Sequence, residues 1–405
     1  MRWLFEGGKR QSIFVEMERG VTRRMRKSLR RWSFPEVVQR FTHFFAMVLP
    51  ISEYPSTLAT QHKDREATAQ AMALLDALHR PLLDLRISVT DRCNFRCRYC
   101  MPREHFGADH TYLSKTDILT YEEITSIASS IRPLGLRKVR ITGGEPLIRK
   151  DIATLIEMLR ALDPQLDLAL TTNGILLAKH AKTLKEAGLN RVTVSLDALD
   201  EGVFKAMGDT EHSPEEVVEG IDAALRVGLG VKVNMVVQRN VNENQVGAIA
   251  KMAHERNLVP RYIEFMDVGT TNQWNMDSVV SGEEIRQMLS KTIGPLNQVD
   301  PSHPSDVAKR WQTENGQQVG MIQSVTAPFC GDCSRARISA NGSLYTCLFA
   351  TNGNDLRSLI RLGAEQNDLT EAIKAIWTQR NDRYSEQRGE HDQPVSKIEM
   401  SFIGG

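Results

Sequence analysis

A chain of 405 residues with 51 Lys and Arg against 50 Asp and Glu has a formal charge of +1, which gives no case for general nucleic-acid binding. With 41% hydrophobic residues it can bury the core of one large domain or two ordinary ones. All six cysteines fall in two tight groups, Cys93, Cys97 and Cys100, then Cys330, Cys333 and Cys347. A secreted disulfide framework spreads its cysteines, so this grouping fits metal binding in a reducing compartment and a cytoplasmic location.

Residues 1–79 read differently from the rest. Residues 1–45 hold eleven Arg and Lys against four Glu. Three readings stay open: a targeting peptide, which the glutamates weaken, a basic interaction arm, or sequence upstream of the true start, with Met25, Met47 and Met72 as internal starts. Residues 1–79 are expected to be a dispensable basic extension. The longest apolar run here, Phe44 to Ile51, is well short of the ~20 residues that span a bilayer, so a soluble chain without a membrane anchor is expected.

From residue 80 short β-branched runs alternate with helix-period segments, the βαβ rhythm of a parallel sheet. Strands are expected at 85–90, 138–142, 168–172, 191–195, 231–237 and 261–266. Helices are expected near 121–132, 151–162, 176–187, 214–227 and 245–256. Thr120 followed by Glu123 has the pattern of a capping box, and Gly188 and Gly228 stand where left-handed C-terminal caps belong. Six βα units build either an open partial TIM barrel or a doubly wound sheet, and both gather function at the C-terminal ends of their strands. After Met266 the rhythm stops. A barrel over 80–266 and a C-terminal domain over 267–405, with a helix-like stretch at 369–377, are therefore expected.

Three cysteines spaced C-x₃-C-x₂-C on one loop after the first strand can converge on one soft metal centre. A [4Fe–4S] cluster normally takes four thiolates, so three leave one iron open. A zinc knuckle would want a fourth ligand, and none is near. The second group, C-x₂-C-x₁₃-C, is again three. Basic residues punctuate the strands: Arg86, Arg140 and Lys232, with Arg335 and Arg337 alternating and so facing one way if extended. A cation inside an apolar strand needs a paired carboxylate or a cavity with an anion, and the residues alone leave both open.

The first cysteine loop resembles that of the radical S-adenosylmethionine (SAM) enzymes, C-x₃-C-x-aromatic-C, with Tyr99 as the aromatic. Gly143-Gly144-Glu145-Pro146 matches the GGEP motif of that superfamily. The resemblance implies a partial (βα)₆ barrel, an α/β fold with a C-terminal iron–sulfur domain. It also implies a [4Fe–4S] cluster on Cys93, Cys97 and Cys100 and SAM on its open iron. SAM would then meet Tyr99, Gly144, Glu145, Ser195 and Met266. Asp91-Arg92-Cys93-Asn94, Thr171-Thr172-Asn173-Gly174, the second cysteine group and the terminal Gly404-Gly405 extend the likeness across residues 80–405. In these the chain is similar to the GTP 3′,8-cyclase (MoaA) family of molybdenum cofactor biosynthesis.

That resemblance implies a second [4Fe–4S] cluster on Cys330, Cys333 and Cys347, holding the guanine of GTP. It implies GTP contacts from Arg86, Arg140, Thr171, Lys232, Arg335, Ala336 and Arg337, with Lys138 a weaker candidate. It implies a catalytic tail at Gly404 and Gly405, and a downstream partner, the cyclic pyranopterin monophosphate synthase. The physiological reductant, and the choice between monomer and homodimer, stay open. Two rival readings are a radical SAM peptide maturase and a non-enzymatic metal-cluster scaffold.

Overall fold

Along each of the first strands apolar and polar side chains alternate, and the alternation decides which face of the sheet is core. In a computed structural model, which describes residues 73–300, 307–388 and 397–404, the strands are β1 (Asp84–Ser88), β2 (Lys138–Thr142), β3 (Asp167–Thr172), β4 (Arg191–Ser195), β5 (Gly230–Val237) and β6 (Pro260–Glu264). Each pairs in parallel with the next. Val139 and Ile141 of β2, Val192 and Val194 of β4, and Val233 and Met235 of β5 are buried under an outer layer of helices. Burying a side chain of this size is worth about 1.5–3 kcal/mol. Their alternates, Lys138, Arg140, Thr142, Lys232 and Asn234, take the other face.

The outer helices are α1 (Tyr121–Ile131), α2 (Ile152–Leu162), α3 (Leu177–Glu186), α4 (Glu201–Gly208), α5 (Pro214–Arg226) and α6 (Val246–Glu255). The capping box at Thr120 and Glu123 forms as expected. Gly188 (φ +98°) and Gly228 (φ +74°) both take the left-handed conformation that stops a helix without a Cβ penalty. Sequence reasoning passes over α4, which is short and follows an irregular stretch. Its start is readable afterwards: the Asp200 side chain accepts from Val203 N–H.

The C-terminal part lengthens the same sheet at both edges. After α7 (Gly282–Ile293) come β7 (Asn297–Val299), β8 (Lys309–Gln312) and β9 (Gln318–Ile322), and β9 pairs in parallel with β6. At the other edge β10 (Arg335–Ile338) pairs in parallel with β1, followed by β11 (Ser343–Tyr345) and β12 (Asn354–Asp355). The 12-stranded sheet runs β12-β11-β10-β1-β2-β3-β4-β5-β6-β9-β8-β7. Helices α8 (Leu356–Arg361), α9 (Gln366–Thr378) and α10 (Met400–Ile403) complete the described chain. Among the described residues no helix is long and apolar enough to cross a membrane.

Residues 1–72 and Gly405 lie outside the described residues. Ala73 to His79, on the extension side of the boundary drawn from sequence, are well described. Leu74 N–H donates to Leu134 O (2.8 Å), Leu82 N–H to Leu74 O (3.0 Å) and Ala77 N–H to Arg380 O (3.2 Å). They escape sequence reasoning because they form no strand or helix of their own and are held by a local turn and by bonds to distant segments.

Candidate active site

All six cysteines are free and line one cavity of about 280 Å³. The first three sit on the loop after β1, and backbone bonds hold that loop from two sides. Arg96 and Arg98 N–H donate to the carbonyls of Gly208 and Met207 at the end of α4 (2.9 and 3.1 Å). Gly144 N–H donates to Thr90 O and Glu145 N–H to Arg92 O (both 2.8 Å). A Cβ on Gly144 would run into the Arg92 carbonyl, so one reason for the glycine is the close approach of these two loops. Arg96 spreads its guanidinium over the carbonyls of Cys93, Phe95 and Phe106 and the Tyr112 hydroxyl, each at 2.8 Å.

The first group is electrostatically acidic. Burial, then Glu145, pushes the Cys93 thiol up to about 12. Tyr99 O–H donates to Asp197 Oδ2 (2.7 Å), and Val236 N–H to Asp197 Oδ1 (2.8 Å). Burial still drives the Asp197 carboxyl up to about 6. The second group sits on the short turn before β10 and on the loop after β11, in cationic surroundings. Burial alone would raise the Cys333 thiol, but Arg335 and Arg380 outweigh it and bring it down to about 6. Arg335 Nη2 lies 3.4 Å from Cys333 Sγ.

A row of guanidiniums crosses the floor. Strand register puts Arg337 beside Arg86 and Arg86 beside Arg140, with Arg335 beside Asp84 and Asp84 beside Lys138. Lys138 pairs with Asp84 (3.2 Å), which is the bland reading of such a cation. Arg86 and Arg140 differ: their Nε atoms, and Thr171 Oγ1, have no hydrogen-bond partner among the described residues. Burial, then Arg337, Arg140 and Arg335, depress the Arg86 pKa well below its ordinary value. Burial, then Arg261, Arg191, Lys138 and Arg140, bring Lys232 down to about 7. Buried, crowded like charges are tolerated where a polyanion is to be bound.

Fifteen of the sequence-predicted site residues line the cavity: the six cysteines, Tyr99, Gly144, Ser195, Met266, Arg86, Arg140, Thr171, Arg335 and Arg337. Four do not. The Glu145 carboxylate turns into the protein, accepting from Thr172 Oγ1 (2.9 Å), Asn173 N–H (2.8 Å) and Leu147 N–H (2.9 Å). Burial raises it to about 7. Ala336 is fully buried in the apolar core, as alternation with Arg335 and Arg337 requires. Lys232 lies on the inner face of β5 below the lining residues Asn234 and Val236. Gly404 stands at the edge, where its carbonyl accepts from Arg337 Nη1. Its approach is guided by Glu399, which accepts from Thr270 N–H (2.9 Å) and Thr271 Oγ1 (2.9 Å), and by Lys397 Nζ on Asp267 Oδ2 (2.6 Å).

Residues 87–253 match the Radical SAM superfamily and residues 259–386 match Molybdenum Cofactor Synthesis C. A curated relative from Staphylococcus epidermidis, named GTP 3′,8-cyclase, is 45% identical over 335 residues, covering 82% of this chain and 98% of its own. One from Acidothermus cellulolyticus with the same name is 46% identical over 357 residues, with the same coverage of both chains. The chain belongs to the GTP 3′,8-cyclase family. Among solved structures, Streptococcus suis SuiB bound to S-adenosylmethionine matches at a TM-score of 0.54 with 13% identity, over 91% of this chain and 88% of that one. At that identity the likeness carries the fold, a radical SAM partial barrel.

In this member of the cyclase family, the cavity-lining residues that sequence reasoning misses include five with polar or charged side chains: Arg80, Asp197, Asn234, Arg261 and Arg380. Three had a signal. Asn234 is two residues from Lys232 on the same strand, Arg261 begins the inner face of β6, and Asp197 is two residues past Ser195. Arg80 and Arg380 had none, because they belong to no strand and reach the site only through tertiary contacts.

Proposed function

We propose that the chain is a radical SAM GTP 3′,8-cyclase, a lyase acting in the first step of molybdenum cofactor biosynthesis. The reaction moves the C3′ hydrogen of GTP to the 5′-deoxyadenosyl radical and joins C3′ to C8 of the guanine; one electron from the reductant and one proton at N7 then complete (8S)-3′,8-cyclo-7,8-dihydroguanosine 5′-triphosphate, an isomer of GTP. The observation that carries this reading is the arginine row at the floor of a cavity walled by two cysteine triads, in which the Nε atoms of Arg86 and Arg140 have no hydrogen-bond partner among the described residues.

The first triad, three free thiols on one wall of the cavity, suits a [4Fe–4S] cluster with one open iron. Held there with SAM and given an electron, such a cluster would supply the 5′-deoxyadenosyl radical. Gly144 offers a close backbone approach for SAM, while Tyr99, Ser195 and Met266 line its side. Cys330, Cys333 and Cys347 would hold a second [4Fe–4S] cluster, which would supply a binding site for the guanine. Arg86, Arg140, Arg335 and Arg337, with Thr171, hold the triphosphate, and Lys232 adds positive field from below. Guanidiniums suit phosphate oxygens through their fixed fork. Holding both ends of GTP brings C3′ to the radical source, so orientation supplies much of the rate. Gly404 closes the rim beside Arg337, and with Gly405, which follows it in the sequence, makes up the catalytic tail. The product passes to the downstream pyranopterin-forming synthase.

GTP carrying deuterium at C3′ tests this directly. The label appears in 5′-deoxyadenosine recovered from the anaerobic reaction; unlabelled 5′-deoxyadenosine alongside the cyclised product would overturn the assignment of the abstracted hydrogen.

A further inference from the structure

Against the cavity wall that carries the second cysteine group lies a buried ionic assembly of three side chains. Asp76 comes from the stretch before β1, Arg80 from its approach, and Arg380 from the turn after α9. The side chains of Asp76, Arg80 and Arg380 are 0%, 1% and 1% exposed. Asp76 Oδ2 accepts from Arg80 Nε (2.7 Å) and Arg380 Nη1 (3.1 Å). Its Oδ1 accepts from the backbone N–H groups of Leu78 (2.9 Å) and Arg80 (2.8 Å). One carboxylate oxygen thus aims two guanidiniums while the other pins the local backbone.

Both guanidiniums point at the second cysteine turn. Arg80 Nη1 donates to the carbonyls of Cys330 (3.0 Å) and Asp382 (2.7 Å). Arg380 Nη1 donates to the carbonyl of Cys333 (2.7 Å). The Arg380 guanidinium stacks on the Trp377 ring at 4.6 Å, and Trp377 Nε1 donates to the Arg80 carbonyl (3.2 Å). Arg80 and Arg380 both line the cavity with Cys330, Cys333 and Cys347, and Arg80 Nη2 has no hydrogen-bond partner among the described residues. Around the turn the guanidiniums of Arg80, Arg335 and Arg380 stand against one fully buried carboxylate, Asp76. The other carboxylates are more open to water: Asp382, whose Oδ2 is 3.4 Å from Arg380 Nε, Glu386, which accepts from Gly331 N–H (3.3 Å), and Asp332 on the turn itself. The balance among the buried groups is cationic. A buried, unbalanced cation is costly unless it faces an anion. Three thiolates carrying a cluster are such an anion. The first cysteine group has the opposite surroundings, Glu145 and Asp197.

We propose that Asp76, Arg80 and Arg380 are the positioning assembly of the second cluster. They hold the Cys330 and Cys333 carbonyls in place and supply positive charge that favours the reduced, more negative cluster. The proposal rests on the reading that Cys330, Cys333 and Cys347 carry a cluster. Positive charge and hydrogen bonds near a cluster raise its potential. Loss of either guanidinium therefore lowers the potential of the second cluster and leaves the first alone.

The test uses the full chain, reconstituted anaerobically, with iron analysis and an EPR-monitored redox titration. Two clusters give about eight irons per chain. Arg80→Met is expected either to drop the iron towards about four, with the SAM-responsive EPR signal intact, or to keep about eight with only the second signal moved to lower potential. Arg80→Lys, which keeps the charge and one donor, restores the second signal. About eight irons with both potentials unchanged in Arg80→Met would overturn the proposal, as would a Lys variant no better than Met. Loss of both clusters together would overturn it too, because the assembly would then support the fold at large. Arg380→Met gives the same readout from the other guanidinium. About four irons in the unaltered chain, unchanged by Cys347→Ala, would instead sink the second-cluster reading on which the proposal rests.

Discussion

Replacing Arg86 by Met separates a substrate ligand from a structural ion pair, because the two roles predict opposite signs. Arg86 is half-buried with its Nε atom shielded from water and without a partner among the described residues, and its pKa is depressed by burial and then by Arg337, Arg140 and Arg335. A like charge about 6–8 Å away repels by about 2–3 kcal/mol at an effective dielectric constant of 20. Removing the charge relieves that repulsion and the cost of burying it, and Met keeps much of the volume. A buried charge exchanged for a fitting apolar group is often neutral or stabilising by about 1–4 kcal/mol. The GTP-free protein should therefore melt no lower than the parent, and up to several degrees higher. A charge-assisted hydrogen bond to phosphate contributes about 1.5–3 kcal/mol, so GTP affinity should fall about 10- to 150-fold. Guanosine, with no phosphate, should bind both proteins alike. Anaerobic calorimetry and equilibrium dialysis on the reconstituted enzyme measure all three. A lower melting temperature with unchanged GTP affinity would refute the reasoning and make Arg86 structural.

Other consequences are as direct. Gly404 has φ +76°, and a methyl there would collide with the Thr142 side chain, so Gly404→Ala should lose cyclisation while the iron content and basal SAM cleavage hold; normal turnover would mean the tail does not act. Cys347→Ala should bind SAM normally yet give no cyclised product, and full product would remove the second triad from substrate binding. Lys232 has a pKa near 7, so below that pH it is already charged, while above it GTP binding must return a proton. KM for GTP should then rise as pH climbs from about 7, and Lys232→Arg, charged throughout, should flatten the rise; a parallel rise in both proteins would point to another group.

Much of the site was legible because short spacings report local geometry. C-x₃-C-x₂-C and GGEP each lie on one loop directly after a strand, and the strand period already said which residues share a face. The same period marks Ala336 as core, since both its neighbours point inward. What could not be read has a different cause. Glu145 has the right type and place to meet an ammonium group, but three local donors claim its carboxylate, and nothing in the motif reveals them. Strand β10 is four residues long with two arginines, too short and too charged to read as a parallel strand until β1 is beside it. Asp76 and Arg80 are near neighbours in the chain, but Arg380 lies 304 residues from Asp76, and only the closed fold unites the three.

The central claim is that GTP and SAM react in this one cavity. The most direct measurement is 5′-deoxyadenosine formed by the anaerobically reconstituted full chain with SAM and dithionite, with and without GTP. The account predicts strong stimulation by GTP, with loss of GTP matched by a product of equal mass. Cleavage of SAM that ignores GTP, with GTP recovered intact, would contradict it.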